Sequence, residues 1–189
     1  MKLYKLTDGN NQTMNGTNWG ENVTHTADGK STELCNEHWL HAYVDPVLAV
    51  MMAPAHVTYS QTKMWEAEGV VGLEKADKVG CTSLMTVREI PLPVVTTEQR
   101  VKFACLVARE GYDLWKKYDK DGAWLKWYEA GCPAAAARSD ASAFCSCSAA
   151  RSAACSACSA SASCSACSAA DTKLDLVKLA HAAMNKESK

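Results

Sequence analysis

SDASAFCSCSAARSAACSACSASASCSACSAA, residues 139–170, contains nothing but Ala, Ser and Cys apart from Asp140, Phe144 and Arg151. A globular core is not written this way, so the stretch divides the chain. Residues 1–132 have mixed composition and must form a head domain, residues 133–170 form the tract, and residues 171–189 carry a short amphipathic pattern. Ala is the best helix former, and Ser and Cys are tolerated in a helix. At about 100° per residue, Ser148, Ser152, Ser156, Ser159 and Ser163 fall on one stripe of that helix. Ala149, Ala153, Ala157, Ala160, Cys164 and Cys167 fall on a second, and Cys147, Arg151, Cys155 and Cys158 on a third. Steps of four, four and three residues match an 11-residue repeat, which keeps such stripes in register along a nearly straight helix. Small side chains let backbones approach closely, and a lone Ala/Ser helix buries too little apolar surface to hold itself in place. The tract is therefore expected to self-associate through Ala149, Ala153, Ala157, Ala160, Cys164 and Cys167, making the protein a homo-oligomer, or to dock on the last helix.

Upstream of the tract, the length of the head is enough for an ordinary core without disulfides or metal. A formal net charge of −1 with scattered Lys and Arg argues against nucleic acid or an anionic membrane as partner. No apolar h-region follows Met1 and no run of residues approaches the roughly 20 apolar positions of a membrane helix. These features predict a cytoplasmic protein whose ten cysteines are mostly reduced thiols. The sequons at Asn11, Asn15 and Asn22 carry no meaning in that compartment.

The head reads as α+β, with a small mixed or antiparallel sheet, because strand patterns come first and helical ones later. Lys2 to Leu6 alternates as an edge strand and stops at Asp8-Gly9. Residues 10–30 read as loops anchored by Trp19, with a weak hairpin around Val23 and a turn at Asp28-Gly29. Leu40 to Val44 predicts a strand. Asp45-Pro46 then starts a helix, with Asp as N-cap and Pro in the first helical position, and the apolar run Val47 to Met52 ends before Pro54. Met64 to Val71 predicts a strand with Trp65 and Ala67 on one face and Glu66 and Glu68 on the other, and Ser83 to Ile90 predicts another. Thr96 and Gln99 form a capping box before a helix whose apolar stripe is Val101, Ala104, Cys105, Ala108 and Tyr112. Trp115, Trp124 and Trp127 are expected to cover one face of the sheet. In the terminal helix Leu174, Val177, His181 and Met184 share a face, flanked by Leu176, Leu179 and Ala180.

Candidate chemistry is sparse. Asp119-Lys120-Asp121-Gly122 looks like a calcium loop, but that register puts Lys117 first and Tyr128 twelfth, both wrong for calcium, so it is a turn. Cys35, His38 and His41 recur every third residue with zinc-binding side chains, yet nothing in the spacing forces them together, and buried Cys with hydrogen-bonded His is the plainer account. Glu66, Glu68 and Glu89 lie on strands where a carboxylate pair does acid–base work in some enzymes, and where a solvated face explains them equally well. With Tyr43 these are the binding candidates of the head. In the tract, Cys145 and Cys147, Cys155 and Cys158, and Cys164 and Cys167 resemble the C-x-C and C-x-x-C clusters of metallothioneins, the only metal ligand set the sequence offers there. Because Ser and Ala occupy equivalent places in the same degenerate repeat, no metal is expected. No phosphate loop, nucleophile elbow or H-E-x-x-H occurs, and no cofactor is expected.

Glu33-Leu34-Cys35, then Trp39-Leu40-His41-Ala42-Tyr43-Val44-Asp45-Pro46, Met64-Trp65-Glu66-Ala67-Glu68-Gly69 and Val87-Arg88-Glu89-Ile90 resemble uncharacterised bacteriophage-type proteins with an N-terminal α+β domain. In many of these an Ala-rich low-complexity repeat follows. The resemblance covers roughly residues 1–95 and departs at Trp39-Leu40, where those proteins prefer Gly-Phe, and at Tyr43, where they often have Cys. It implies a viral protein in an infected bacterial host and carries no established activity. The same stretch is loosely similar to ADP-ribosyltransferase-like folds, although none of their catalytic sets can be placed here residue by residue. The expected role is thus non-enzymatic binding or assembly against a host protein or small ligand. An ADP-ribosyltransferase-like enzyme head and a thiolate metal binder are the alternatives.

Overall fold

The computed structural model describes residues 1–56, 61–110, 112–116, 119, 121–130 and 174–185. The tract lies outside them, and with it the self-association stripe from Ala149 to Cys167 and the cysteines from Cys145 to Cys167. The chain falls into two compact units, Met1–Val94 and Val95–Lys189. The head drawn from sequence ran on to residue 132, whereas the division comes just after Pro91-Leu92-Pro93, where the sheet ends. Antiparallel sheet and helices together make the described chain α+β.

Met1–Val94 is built on a long hairpin of β6 (Lys63–Glu74) and β7 (Val79–Ile90), closed at its tip by the Lys75 N–H donating to the Lys78 carbonyl. β1 (Lys2–Thr7) adds to the free side of β6, with Leu3 opposite Ala67 and Lys5 opposite Trp65. β4 (Val23–Thr26) and β5 (Leu40–Ala42) both pair with β7, at residues 83–86 and 79–81 respectively. Immediately after β5, Tyr43 exchanges two backbone hydrogen bonds of 2.8 and 2.9 Å with Tyr4 of β1. The path β1–β6–β7–β5–β1 is therefore closed on itself, which removes the exposed edge that the sequence reading gave to β1. A small hairpin, β2 (Gln12–Thr13) and β3 (Thr17–Asn18), flanks a 3-10 turn at Met14–Gly16.

Leu3, Trp19, Ala42, Ala67, Val79, Cys81 and Leu84 form the core inside this closure. Each fully buried aliphatic side chain there contributes about 1.5–3 kcal/mol. β7 begins at Val79, four residues before the predicted strand. Its alternation is broken where Ser83 opposes Val70 and Cys81 opposes Val71, leaving Thr82 as an extra residue. That bulge turns both Cys81 and Leu84, three apart in sequence, toward the same core.

α1 (Pro46–His56) begins as predicted, with the Leu48 N–H donating to Asp45 Oδ1 at 2.8 Å. It does not stop before Pro54 but continues to His56. Burial of Leu48, Ala49, Val50, Met51 and Met52 outweighs the preference of a residue before proline for extended backbone.

In Val95–Lys189, α2 (Thr97–Glu110) opens with the predicted capping box. The Thr96 N–H donates to Gln99 Oε1 at 2.8 Å and the Gln99 N–H donates to Thr96 Oγ1 at 3.2 Å. Thr96→Ala is expected to cost about 1 kcal/mol of stability, read by chemical denaturation, and no loss would mean that water caps the helix equally well. The segment after Tyr112 is split into α3 (Tyr112–Trp115) and α4 (Ala123–Glu129) by a turn in which Gly122 adopts φ +61°. Asp119, expected in a turn, holds that turn together by accepting from the Trp124 and Leu125 N–H groups and from the Tyr112 hydroxyl.

Trp124 is buried and stacks between Tyr112 and Tyr128 of its own unit, at ring separations of 5.6 and 5.3 Å. The Arg109 guanidinium lies over both tyrosines. The terminal helix α5 (Leu176–Met184), capped by Asp175, packs against α2. It buries Leu176, Ala180 and Ala183, and the predicted stripe through His181 is not the buried one: His181 is exposed. The inward face is thus marked by Leu176 and by the two small residues Ala180 and Ala183. No helix of the described residues is long and apolar enough to cross a membrane.

Candidate functional site

On the outer face of the sheet, Glu66 and Glu68 share one side of β6, as the alternation requires. Glu66 sits opposite Arg88, and both of its oxygens are engaged. Oε2 accepts from Arg88 Nη2 at 2.9 Å and Nε at 3.1 Å, while Lys2 Nζ lies 3.1 Å from Oε1. The hydrogen bond from Arg88, then that from Lys2, holds the Glu66 carboxyl below the usual carboxylate range. A carboxylate held in this way is a poor proton acceptor. Glu68 is exposed beside it, opposite Lys2 and Met85. Glu89 opposes Trp65, on the other face by register, and lies 3.9 Å from Lys63. The three glutamates do not converge.

Arg88→Ala should return the Glu66 pKa upward, followed by carbon-detected NMR titration. The depressed pKa gives a stabilisation present at neutral pH and lost as pH falls through the folded value, so the variant should also show a shallower acid loss. An unmoved titration would remove Arg88 as the cause.

Cys35, His38 and His41 lie in and just after the loop between β4 and β5. Cys35 is exposed. His38 Nδ1 is 2.7 Å from Asp28 Oδ1, and the Gly29 N–H donates to the His38 carbonyl, so this pair ties the two ends of the loop. The His38 hydrogen bond is the main cause of a lowered Asp28 pKa. His41 Nε2 pairs with the Leu34 carbonyl, and Trp39 Nε1 donates to the Ser31 carbonyl. Tyr43 is buried at the closure of the sheet. Among the described residues, no group of three or more His, Cys, Asp and Glu side chains is placed to hold a metal ion.

The sequence reading missed the most perturbed group of the unit, Lys5. It lies on the inward side with Leu3 and is 8% exposed. Its ammonium donates to the His41 carbonyl at 2.7 Å and stands 5.0 Å from the Trp19 ring centre. Burial pushes its pKa down to about 8, opposed by attraction to Cys81. Burial likewise pushes the Cys81 thiol up to about 11. Lys5 thus bridges β1 to β5 across the closure.

No known protein-family profile matches the chain, and neither a curated protein nor a solved structure matches it.

Proposed function

We propose that the protein is a non-enzymatic binding or assembly protein of bacteriophage type, which gathers copies of itself through the Ala/Ser/Cys tract. The observation that supports the non-catalytic half is the saturation of Glu66 by Arg88 and Lys2. Two other nominated groups are engaged as well, His38 with Asp28 and His41 with the Leu34 carbonyl. In this reading they serve as the frame of a recognition surface for a host protein or small ligand. Self-association is supported by the small-residue stripe of Ala149, Ala153, Ala157, Ala160, Cys164 and Cys167 in the sequence.

Sedimentation of the full chain under reducing conditions tests it. The expected mass is a multiple of the monomer's, and Ala157→Glu, which puts a charge on the alanine stripe, should return it to the monomer. A wild-type chain that stays monomeric at every soluble concentration overturns the proposal.

A further inference from the structure

We propose that Asn15 is a site of spontaneous covalent modification, whose side-chain amide cyclises onto the Gly16 nitrogen and opens to aspartate and isoaspartate. This rests on the β2–β3 hairpin alone and is independent of the self-association argued above.

In this reaction the backbone nitrogen of the following residue gives up its proton to base and attacks the side-chain Cγ. The side-chain nitrogen leaves as ammonia, carrying a proton back, and a cyclic imide remains. Water then opens the imide at either carbonyl. The net change is asparagine plus water to a carboxylic acid and ammonia, with no oxidant or reductant. A side chain on the attacking residue crowds this approach, and glycine has none. Asn15 alone among the asparagines precedes a glycine; Asn10, Asn11, Asn18, Asn22, Asn36 and Asn185 precede Asn, Gln, Trp, Val, Glu and Lys.

Asp8, Asp28 and Asp121 also precede glycine and can cyclise in the same way, but each step is restrained. Asp8 Oδ1 accepts from the Asn10 and Gln12 N–H groups at 2.9 and 2.7 Å. Asp28 is bound by His38, and the Gly29 N–H donates to the His38 carbonyl. The Gly122 N–H donates to the Asp119 carbonyl at 3.0 Å. Asn15 lies instead in the 3-10 turn Met14–Gly16, between strands of 2 residues each. Met14 is 71% exposed, and Gly16 is exposed at φ +70°. Among the described residues, nothing stands within 4 Å of the place a Cβ would take at Gly16. So short a ladder, closed by a single 3-10 turn, opens at little cost, and the attack is not obstructed from outside. Each conversion adds a negative charge at the hairpin tip. Isoaspartate also adds a methylene to the main chain between Thr13 and Thr17, which pair across the hairpin.

The test incubates the full-length protein at mildly alkaline pH, folded and in urea. Each asparagine is followed by peptide mass spectrometry, with isoaspartate resolved by chromatography. Asn15 should convert severalfold faster than any other described asparagine, at a rate that rises with pH. In the folded protein that rate should lie within about tenfold of the rate in urea, as for a loop whose opening costs little. Gly16→Ala should slow it severalfold in both conditions, which separates the chemistry from any change of fold. A folded chain that keeps Asn15 intact while the unfolded chain converts it overturns the proposal, as does conversion of Asn11 or Asn22 at an equal rate.

Discussion

Between about pH 7 and pH 9 the unfolding free energy of the protein should rise, and Lys5→Met should abolish that rise. Lys5 has a folded pKa of about 8 against 10.5 for an ordinary lysine. Over that window the unfolded chain binds more protons than the folded one, so stability increases with pH. At 1.36 kcal/mol per pKa unit the whole shift amounts to about 3 kcal/mol, of which roughly 1 kcal/mol appears by pH 9. Cys81 works in the opposite direction at higher pH. Its folded pKa of about 11 lies above the ordinary 9.0, so it favours folding while the thiol is neutral. That benefit is lost as pH rises from about 9 toward 11, offsetting the rest of the Lys5 gain and producing a plateau. Lys5→Met removes the buried charge but also the donor to the His41 carbonyl, two effects of similar size at neutral pH. The slope, rather than the absolute stability, is therefore the decisive quantity. Urea melts across the window read it directly, and an equal slope in wild type and variant would mean that the ammonium is hydrated in the folded protein.

The position of Lys5 shows where sequence reading stops. In Lys2-Leu3-Tyr4-Lys5-Leu6, one face of the strand carries Leu3 and Lys5 and the other Lys2, Tyr4 and Leu6, so neither is purely apolar. What encloses Lys5 is the segment of β5 and Tyr43, whose His41 carbonyl accepts from it and which closes the sheet from far away in sequence, and no local pattern encodes that pairing. Local chemistry was legible where the contacts are local: Thr96 with Gln99, Asp45 at the start of α1, and the alternation of Trp65, Glu66, Ala67 and Glu68. It failed at the start of β7, because a bulge at Thr82 breaks the period of two that identifies a strand. It failed again on α5, where the stripe through Val177, His181 and Met184 was expected inward but Leu176, Ala180 and Ala183 are the buried residues. The candidate site follows the same rule. Glu66 and Glu68 were read correctly as neighbours on one face. The Arg88 that neutralises Glu66 becomes visible as its partner only once the β6–β7 register is known.

Trp39→Ala should be the most damaging single change in Met1–Val94, at about 3–5 kcal/mol, and Gly72→Ala should lose most of its cost in that background. The Trp39 indole is 7% exposed and lies on a floor of three glycines from separate segments. An added Cβ at Gly72 of β6 would stand 2.7 Å from Trp39 Cζ3, at Gly80 of β7 2.9 Å from Cδ2, and at Gly29, which also has φ +64°, 3.2 Å from Cη2. The glycines thus make room for the ring, and Gly72 is the cleanest probe, because its two nearest contacts both belong to Trp39. In the wild-type background Gly72→Ala forces the ring to move, an overpacking cost of about 1–3 kcal/mol. With the ring gone, the same methyl meets Thr82 Cγ2 at 3.5 Å, an ordinary contact. There the reduced freedom of the unfolded chain makes alanine neutral or stabilising by about 0.4–1 kcal/mol. The double-mutant cycle should therefore show a coupling of about 1–3 kcal/mol. Strictly additive losses in chemical denaturation would mean that the indole does not rest on Gly72, and the packing account of the three glycines would fall with it.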